Sequence, residues 1–149
     1  MSMITTKSTK IDTLHGGCLC GAVRYEVTAR LRPVVLCHCS QCRRSTGHFM
    51  AATAARHRDF RLTDGAELRW YASSDSARRG FCGRCGSTLF WQANGRDYIS
   101  IAAGTLDGAT GLSSAWHIHT ADKGDYYSID DGLPQSADGS FSVAIPAPE

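Results

Sequence analysis

The sequence lacks an excess of charge of either sign and lacks any long hydrophobic run. Its 16 Lys and Arg residues nearly balance 14 Asp and Glu residues, which leaves a formal net charge of +2. Nucleic-acid-binding domains usually carry a basic stripe or a much higher pI, so this balance argues against a nucleic-acid partner. No segment approaches the roughly 18 apolar residues of a membrane-spanning helix. The sequence therefore predicts no membrane association.

The first ten residues also lack the continuous apolar core of a secretory signal. We therefore expect a soluble, cytoplasmic protein. Thiols stay reduced in that compartment, so cysteines there indicate a metal site or thiol chemistry before disulfides. The chain has seven cysteines, an odd number that excludes complete disulfide pairing within one chain.

Internal repeats and long amphipathic helices are absent from the sequence as well. The length of 149 residues, with 42% hydrophobic and 20% charged residues, suits one globular domain. We predict a flexible arm at residues 1–13, one folded domain at residues 14–135 and a C-terminal tail at residues 136–149. A domain this small gains stability from a bound metal ion.

Short runs of alternating apolar and polar residues predict a mainly β fold of several short antiparallel strands. The runs that favour strands are residues 22–28, 34–36, 60–63, 68–71, 87–91 and 98–102. Residues 48–55 are assigned to a strand as well, although their alanines also allow a helix. The turn-forming dipeptide Asn94-Gly95 predicts a hairpin between the runs that flank it. Asp64-Gly65 predicts either a hairpin or neighbouring strands, because the connection is longer than two residues. Residues 43–47 fit one helical turn or a loop that ends at glycine.

The cysteines occur in three motifs with metal-ligand spacing. These motifs are Cys18-x-Cys20, Cys37-x-Cys39-x2-Cys42 and Cys82-x2-Cys85. Structural zinc commonly takes four ligands as two pairs from separate turns. The triplet is self-contained because its members lie within six residues, so the simplest partition is four plus three. A partition in which the triplet shares ligands with Cys82 and Cys85 stays open.

A four-thiolate site is closed, whereas three thiolates leave a fourth position for water, substrate or another thiol. Zinc at such a site would hold an incoming thiol as a thiolate, ready to attack a carbonyl compound. Two alternatives remain: His38 or His48 completes a structural Cys3His site, or Cys37 and Cys42 form a disulfide. On an extended segment, however, His38 would point away from the face that its neighbouring cysteines share.

Three segments resemble the glutathione-dependent formaldehyde-activating enzyme family, which also includes centromere protein V-like domains. The segments are Gly16–Tyr25, Cys37–Arg43 with Thr46-Gly47, and Phe81–Phe90. The resemblance covers about residues 14 to 120, and all seven cysteines fall on motif positions. It implies a mainly β, Mss4-like (β-tent) zinc fold and two zinc ions per chain.

The resemblance also implies roles for the cysteines and a reaction. The residues that it assigns to a structural zinc are Cys18, Cys20, Cys82 and Cys85. The residues that it assigns to a more labile, catalytic zinc are Cys37, Cys39 and Cys42. The family reaction joins formaldehyde and glutathione into S-hydroxymethylglutathione, so the partners would be a small-molecule thiol and an aldehyde, and the enzyme a carbon–sulfur lyase. The alternatives are a lyase for another thiol and a non-catalytic zinc module that binds a partner.

Four arginines are candidates for binding substrate carboxylates, because guanidinium groups pair bidentately with them. We assign this role to Arg43 and Arg44, with solvated surface charges as the alternative. Arg78 and Arg79 carry the same ambiguity.

For the other polar and aromatic residues the sequence gives weaker indications of a functional role. His117 and His119 alternate, which predicts that both face the same side of a strand, either near the open zinc or on a plain polar face. Asp107 either orients a ligand or caps a turn. Core positions are predicted for Trp70, Trp91 and Trp116.

Overall fold

Ten short strands dominate the computed structural model, which describes residues 12–147. The strands are β1 Leu14–Gly17, β2 Arg24–Val27, β3 Val34–Cys37, β4 Met50–Arg56, β5 Phe60–Asp64, β6 Leu68–Ala72, β7 Ala77–Cys82, β8 Thr88–Ala93, β9 Tyr98–Ala102 and β10 Ser114–Ile118. One α-helix, α1 at Ser40–Thr46, and three 3-10 turns at His57–Asp59, Ala103–Thr105 and Thr120–Asp122 complete the described elements. Within the described part of the chain, no helix is long and apolar enough to span a membrane. Most of the predicted arm lies outside the described residues.

The strands form two sheets. A three-stranded sheet has the order β1-β2-β5, and a seven-stranded sheet has the order β10-β3-β4-β9-β8-β7-β6. Neighbouring strands are antiparallel except for β10 and β3, which run parallel. The predicted mainly β class is confirmed.

The main hydrophobic core packs against one face of the seven-stranded sheet. Tyr25 of the small sheet meets the edge of the Phe90 ring at a centroid distance of 5.3 Å. Along β9, Ile99 and Ile101 belong to this core, whereas Tyr98 and Ser100 line a cavity. Successive side chains of a strand point to opposite faces, so one face of the large sheet is structural and the other is open for a site.

The predicted pairing of the strands around Asp64-Gly65 is wrong, because the two flanking strands belong to different sheets. Strand β5 pairs with β2, and β6 pairs with β7. Each strand is anchored by its own aromatic residue: Phe60 stacks on Tyr25 at 5.6 Å, and Trp70 stacks on Phe90 at 6.1 Å. The dipeptide is therefore a corner between sheets. The second predicted hairpin is confirmed, since β8 and β9 pair as antiparallel neighbours across Asn94-Gly95.

The segment at residues 134–138 lies beside β10 and runs parallel to it. The amide of His117 donates to Pro134 O at 2.9 Å, and the amide of Ser136 donates to His117 O at 2.8 Å. Further on, the amide of His119 donates to Asp138 O at 2.7 Å. These bonds hold the start of the predicted tail against the domain, and the boundary at residue 135 stays a prediction.

Gly16 in β1 lies where a side chain has no room, and Gly16→Ala is expected to destabilise the fold. A Cβ there would overlap the Tyr25 ring and lie 2.6 Å from Thr105 O. The Tyr25 hydroxyl is held by Thr105 Oγ1 at 2.7 Å, so the ring cannot move without losing that bond. Overpacking of this kind lowers the free energy of unfolding by about 1–3 kcal/mol, measurable by urea denaturation.

The matched control is Gly104→Ala, because no atom lies within 4 Å of a Cβ at Gly104. We expect that variant to unfold at the wild-type urea concentration. Equal effects of the two substitutions would contradict the steric explanation.

Candidate metal centres and active site

Four sulfurs converge at the edge of the main core. The Sγ atoms of Cys18, Cys20, Cys82 and Cys85 all lie within 4.8 Å of one another. Those of Cys18 and Cys20 are 3.6 Å apart, and those of Cys20 and Cys82 are 3.8 Å apart. Thiolates bound tetrahedrally to zinc at about 2.3 Å would be about 3.8 Å apart. The donor set therefore fits a four-thiolate zinc site.

Local backbone structure prepares these sulfurs for a metal. The amide of Val23 donates to Cys18 Sγ at 3.2 Å, and the amide of Cys85 donates to Cys82 Sγ at 3.4 Å. A hydrogen bond with the Ser87 hydroxyl, at 3.1 Å, lowers the pKa of Cys85 to about 5. Such bonds favour thiolates, the form that binds metal. Cys18 and Cys82 of this cluster are buried and Cys20 is exposed, and the four donors together suffice for a tetrahedral site with no open position.

The remaining three cysteines form a second cluster around the start of α1. The Sγ atoms of Cys37, Cys39 and Cys42 lie within 4.8 Å of one another. Cys37 ends β3, and Cys39 caps α1 by accepting a hydrogen bond from the Cys42 amide at 3.3 Å. The simplest partition, four plus three, is the arrangement that the structure brings together. All seven cysteines are free, so the structure has no Cys37–Cys42 disulfide.

Within this triplet the pKa of Cys39 is lowered, whereas the pKa values of Cys37 and Cys42 are raised. A hydrogen bond from the Cys37 thiol, together with backbone amides at the start of α1, holds the pKa of Cys39 far below its usual range. The same bond to Cys39 raises the pKa of Cys37. The triplet thus already favours a thiolate at Cys39, and three such sulfurs fit a zinc ion with one position left open.

Neither candidate histidine belongs to the triplet. The buried His38 ring points away from the sulfurs and bonds through Nε2 to His117 Nδ1 at 2.8 Å. His48 Nδ1 instead bonds to the Tyr126 hydroxyl at 3.1 Å. The described geometry therefore does not favour a Cys3His site.

A hydrogen-bonded chain fixes the His38 ring behind the cluster. The Asp131 carboxylate accepts from His117 Nε2 at 2.7 Å, and in the tautomer that leaves His117 neutral, its Nδ1 accepts from His38 Nε2 at 2.8 Å. His38 Nδ1 in turn accepts from the Tyr127 hydroxyl. Burial, together with His117, lowers the pKa of His38 to about 4 and keeps the ring neutral. His38 lies between Cys37 and Cys39 in the chain, so these hydrogen bonds hold the residue that connects two members of the triplet.

The prediction that His117 and His119 share one strand face is wrong. His117 is buried in β10 against His38, whereas His119 follows the end of the strand in a left-handed conformation with φ 55°. This backbone turn redirects the His119 side chain toward a cavity.

A cavity of about 640 Å³ opens on the non-core face of the large sheet, and all three triplet cysteines line it. Arg79 also lines it and is 8% exposed. Its two Nη atoms lie 3.5 and 3.6 Å from Cys42 Sγ. The bond to Cys37 and this positive charge act to lower the pKa of Cys42, but the bond to Cys39 and burial raise it overall. Its neighbour Arg78 instead lies outside, with its guanidinium 4.0 Å from the Trp70 ring. Strand alternation therefore separates two arginines that are equivalent in the sequence.

The other predicted residues lie at varied distances from the cavity. Arg43 and Arg44 lie on α1 and are not among the residues that line it, so their role at substrate carboxylates stays a prediction. Asp107 forms an ion pair with Arg24 and does not line it either. Arg32 does line the cavity. Arg32 belongs to no sequence motif, so its place in the cavity wall was not predicted.

The tryptophan prediction holds only in part. Trp70 packs against the main core as expected. Trp91 lines the cavity, and Trp116 donates through Nε1 to Ser136 Oγ at 2.9 Å. The assignment of Trp91 to the core is therefore wrong, because β8 turns this ring to the open face of the sheet.

Comparisons with known proteins agree with this arrangement. The family model described as glutathione-dependent formaldehyde-activating enzyme matches residues 13–122. An uncharacterized lyase of Schizosaccharomyces pombe is 30% identical over 117 residues, which are 77% of this chain and 84% of that protein. A crystal structure of a Rhodobacter sphaeroides protein is 32% identical with a TM-score of 0.54, covering 65% of this chain and 91% of that one. The chain therefore belongs to the glutathione-dependent formaldehyde-activating enzyme family.

Proposed function

We propose that the protein is a zinc-dependent carbon–sulfur lyase that interconverts glutathione and formaldehyde with S-hydroxymethylglutathione. The observation that carries this proposal is the three-thiol cluster that opens into a cavity of about 640 Å³ while four other cysteines form a separate, closed set. Family membership and the lyase name of the yeast relative support it. Seven free cysteines suit a reducing, cytoplasmic location.

The cysteines and Arg79 would have different roles at the site. Cys37, Cys39 and Cys42 would hold the second metal ion, and the remaining four cysteines would hold the structural one. Zinc at a three-thiolate site supplies a fourth position at which a substrate thiol binds as a thiolate at neutral pH. Arg79 beside Cys42 offsets the negative charge that accumulates on these sulfurs.

The reaction that this site supports needs no oxidant or reductant. The substrate sulfur forms a C–S bond with the carbonyl carbon of formaldehyde, and the C=O π bond breaks. The proton lost by the thiol ends on the former carbonyl oxygen, which gives S–CH2–OH. The reverse, lyase direction returns both compounds. Holding the two reactants side by side in the cavity is a sufficient source of acceleration for such an addition.

Exchange NMR with 13C-formaldehyde and glutathione tests the proposal. We expect the zinc-loaded protein to speed the exchange of label between free formaldehyde and the adduct without changing their equilibrium ratio. Acceleration with another small thiol but not with glutathione would establish a lyase for that thiol instead. No acceleration with any thiol, together with two zinc ions per chain, would leave the non-catalytic module.

A further inference from the structure

Arg32 carries a buried positive charge for which the described chain supplies no counter-ion. Its side chain lines the cavity, and the residue is only 6% exposed. One Nη atom donates to Ala52 O at 3.0 Å, but Nε has no hydrogen-bond partner. Within residues 12–147, no carboxylate lies within ion-pair distance of this guanidinium.

Such an arrangement is unfavourable unless something else completes it. Burial lowers the pKa of Arg32, yet an arginine side chain stays charged in a protein. A buried charge without a partner is expensive, because it has lost its hydration and gained no ion pair. The guanidinium also lies 5.4 Å from the Phe141 ring centroid, a contact that stabilises a cation but does not neutralise its charge. The cavity wall therefore presents a desolvated cation that a bound anion would neutralise.

Strand register relates this cation to the cysteine triplet. Cys37 of β3 lies opposite Met50 of β4, and Arg32 bonds to Ala52, two residues further along β4. At roughly 3.4 Å per residue, the positions of Met50 and Ala52 are roughly 7 Å apart along β4. An extended peptide covers this length in about two residues, that is, the residue that carries the sulfur and one further residue.

We propose that Arg32 binds a carboxylate of the substrate, and that this carboxylate lies about one peptide residue beyond the residue that carries the sulfur. A guanidinium group binds carboxylates bidentately, and Arg79 is already engaged with Cys42. The placement of sulfur at the triplet rests on the proposed function, whereas the carboxylate site rests on Arg32 alone. Specificity for a peptide-like thiol over a small neutral thiol follows from this pairing.

Calorimetric titration with S-methylglutathione tests the site without thiol chemistry, because the sulfur of this probe is blocked. A second probe is the same compound with its glycine carboxylate converted to an amide. We expect wild-type protein to bind the acid about tenfold or more tightly than the amide, since the difference is one charge-assisted pair. Arg32→Gln should bind the acid about ten- to a hundredfold more weakly than wild type and should no longer distinguish acid from amide.

Two further variants separate binding from folding. Arg78→Gln removes the same charge from outside the cavity and should leave both affinities unchanged. Arg32→Met removes the unpaired buried charge, so its thermal midpoint without ligand should equal or exceed that of wild type. If Arg32 had a purely structural role, Arg32→Met would lower the thermal midpoint and leave the ratio of acid to amide affinity unchanged. That result would overturn the proposal.

The remaining outcomes are also decisive. Equal affinities of wild type and Arg32→Gln for the acid, or no binding of the acid to wild type at millimolar concentration, would overturn the Arg32 site. Discrimination between acid and amide without any thiol–aldehyde exchange would support the Arg32 site and contradict the proposed lyase. Thiol–aldehyde exchange activity without discrimination between acid and amide would support the proposed lyase and contradict the Arg32 site.

Discussion

Cys39→Ser is expected to remove one of two zinc ions and to slow thiol–aldehyde exchange on the order of a thousandfold. Cys39 is the triplet member whose pKa the structure lowers most clearly, and a serine hydroxyl cannot supply a comparable anion at neutral pH. The fold should survive, because serine is itself a good helix N-cap and can accept the Cys42 amide bond. Elemental analysis and exchange NMR give the two measurements.

Ser45→Ala provides the matched control for this variant. Ser45 lies on the same helix, is exposed and donates only weakly, at 3.4 Å, to Cys42 O. We expect it to keep both ions and full activity. Retention of both ions and of full activity by Cys39→Ser would show that the triplet is not the catalytic site.

Cys82→Ser is expected to remove most of the stability of the protein, on the order of 5 kcal/mol or more. Cys82 is fully buried, belongs to both the main core and the four-cysteine cluster, and ends β7. Serine would lose the metal and leave a hydroxyl in an apolar setting. The measurement is thermal unfolding followed by circular dichroism.

Wild-type protein treated with a strong chelator provides the comparison for the thermal unfolding of Cys82→Ser. Chelated wild-type protein should unfold near the temperature of Cys82→Ser, because both lack the same ion. Cys39→Ser should unfold much closer to untreated wild type. If Cys82→Ser melts at the wild-type temperature, the four-cysteine cluster does not stabilise the fold.

The three cysteine motifs and the β class were accessible from the sequence because both depend on short-range spacing. The pairing of Cys18 and Cys20 with Cys82 and Cys85 joins positions about 60 residues apart, and spacing offered it only as the simplest partition. Alternation along a strand and the positions of Cys pairs are local patterns, and the two clusters that the structure brings together match them. The Asp64-Gly65 error shows the limit of such patterns. A turn dipeptide indicates a change of direction, but only the packing of Phe60 and Trp70 decides which sheet each strand joins.

The residues that complete the site depend on contacts between distant parts of the chain. Arg79 reaches Cys42 across 37 positions, and His38 meets Tyr127 across 89. The segment after β10 lies near β3 because β10 and β3 are neighbours in the sheet. Strand β7 is separated from β3 by β4, β9 and β8, and Arg79 reaches Cys42 of α1 at the cavity that both residues line. Nothing in the local sequence around Arg32, which precedes a proline, signals that its charge is buried.

The division of the large sheet into a core face and a cavity face gives the protein two nearly independent sets of positions. Along β9, Ile99 and Ile101 maintain the fold, while Tyr98 and Ser100 alternate with them and form the cavity wall. Trp91 of β8 belongs to the same wall. Selection or directed evolution can therefore vary substrate range through Trp91, Tyr98 and Ser100 while the adjacent core residues stay unchanged.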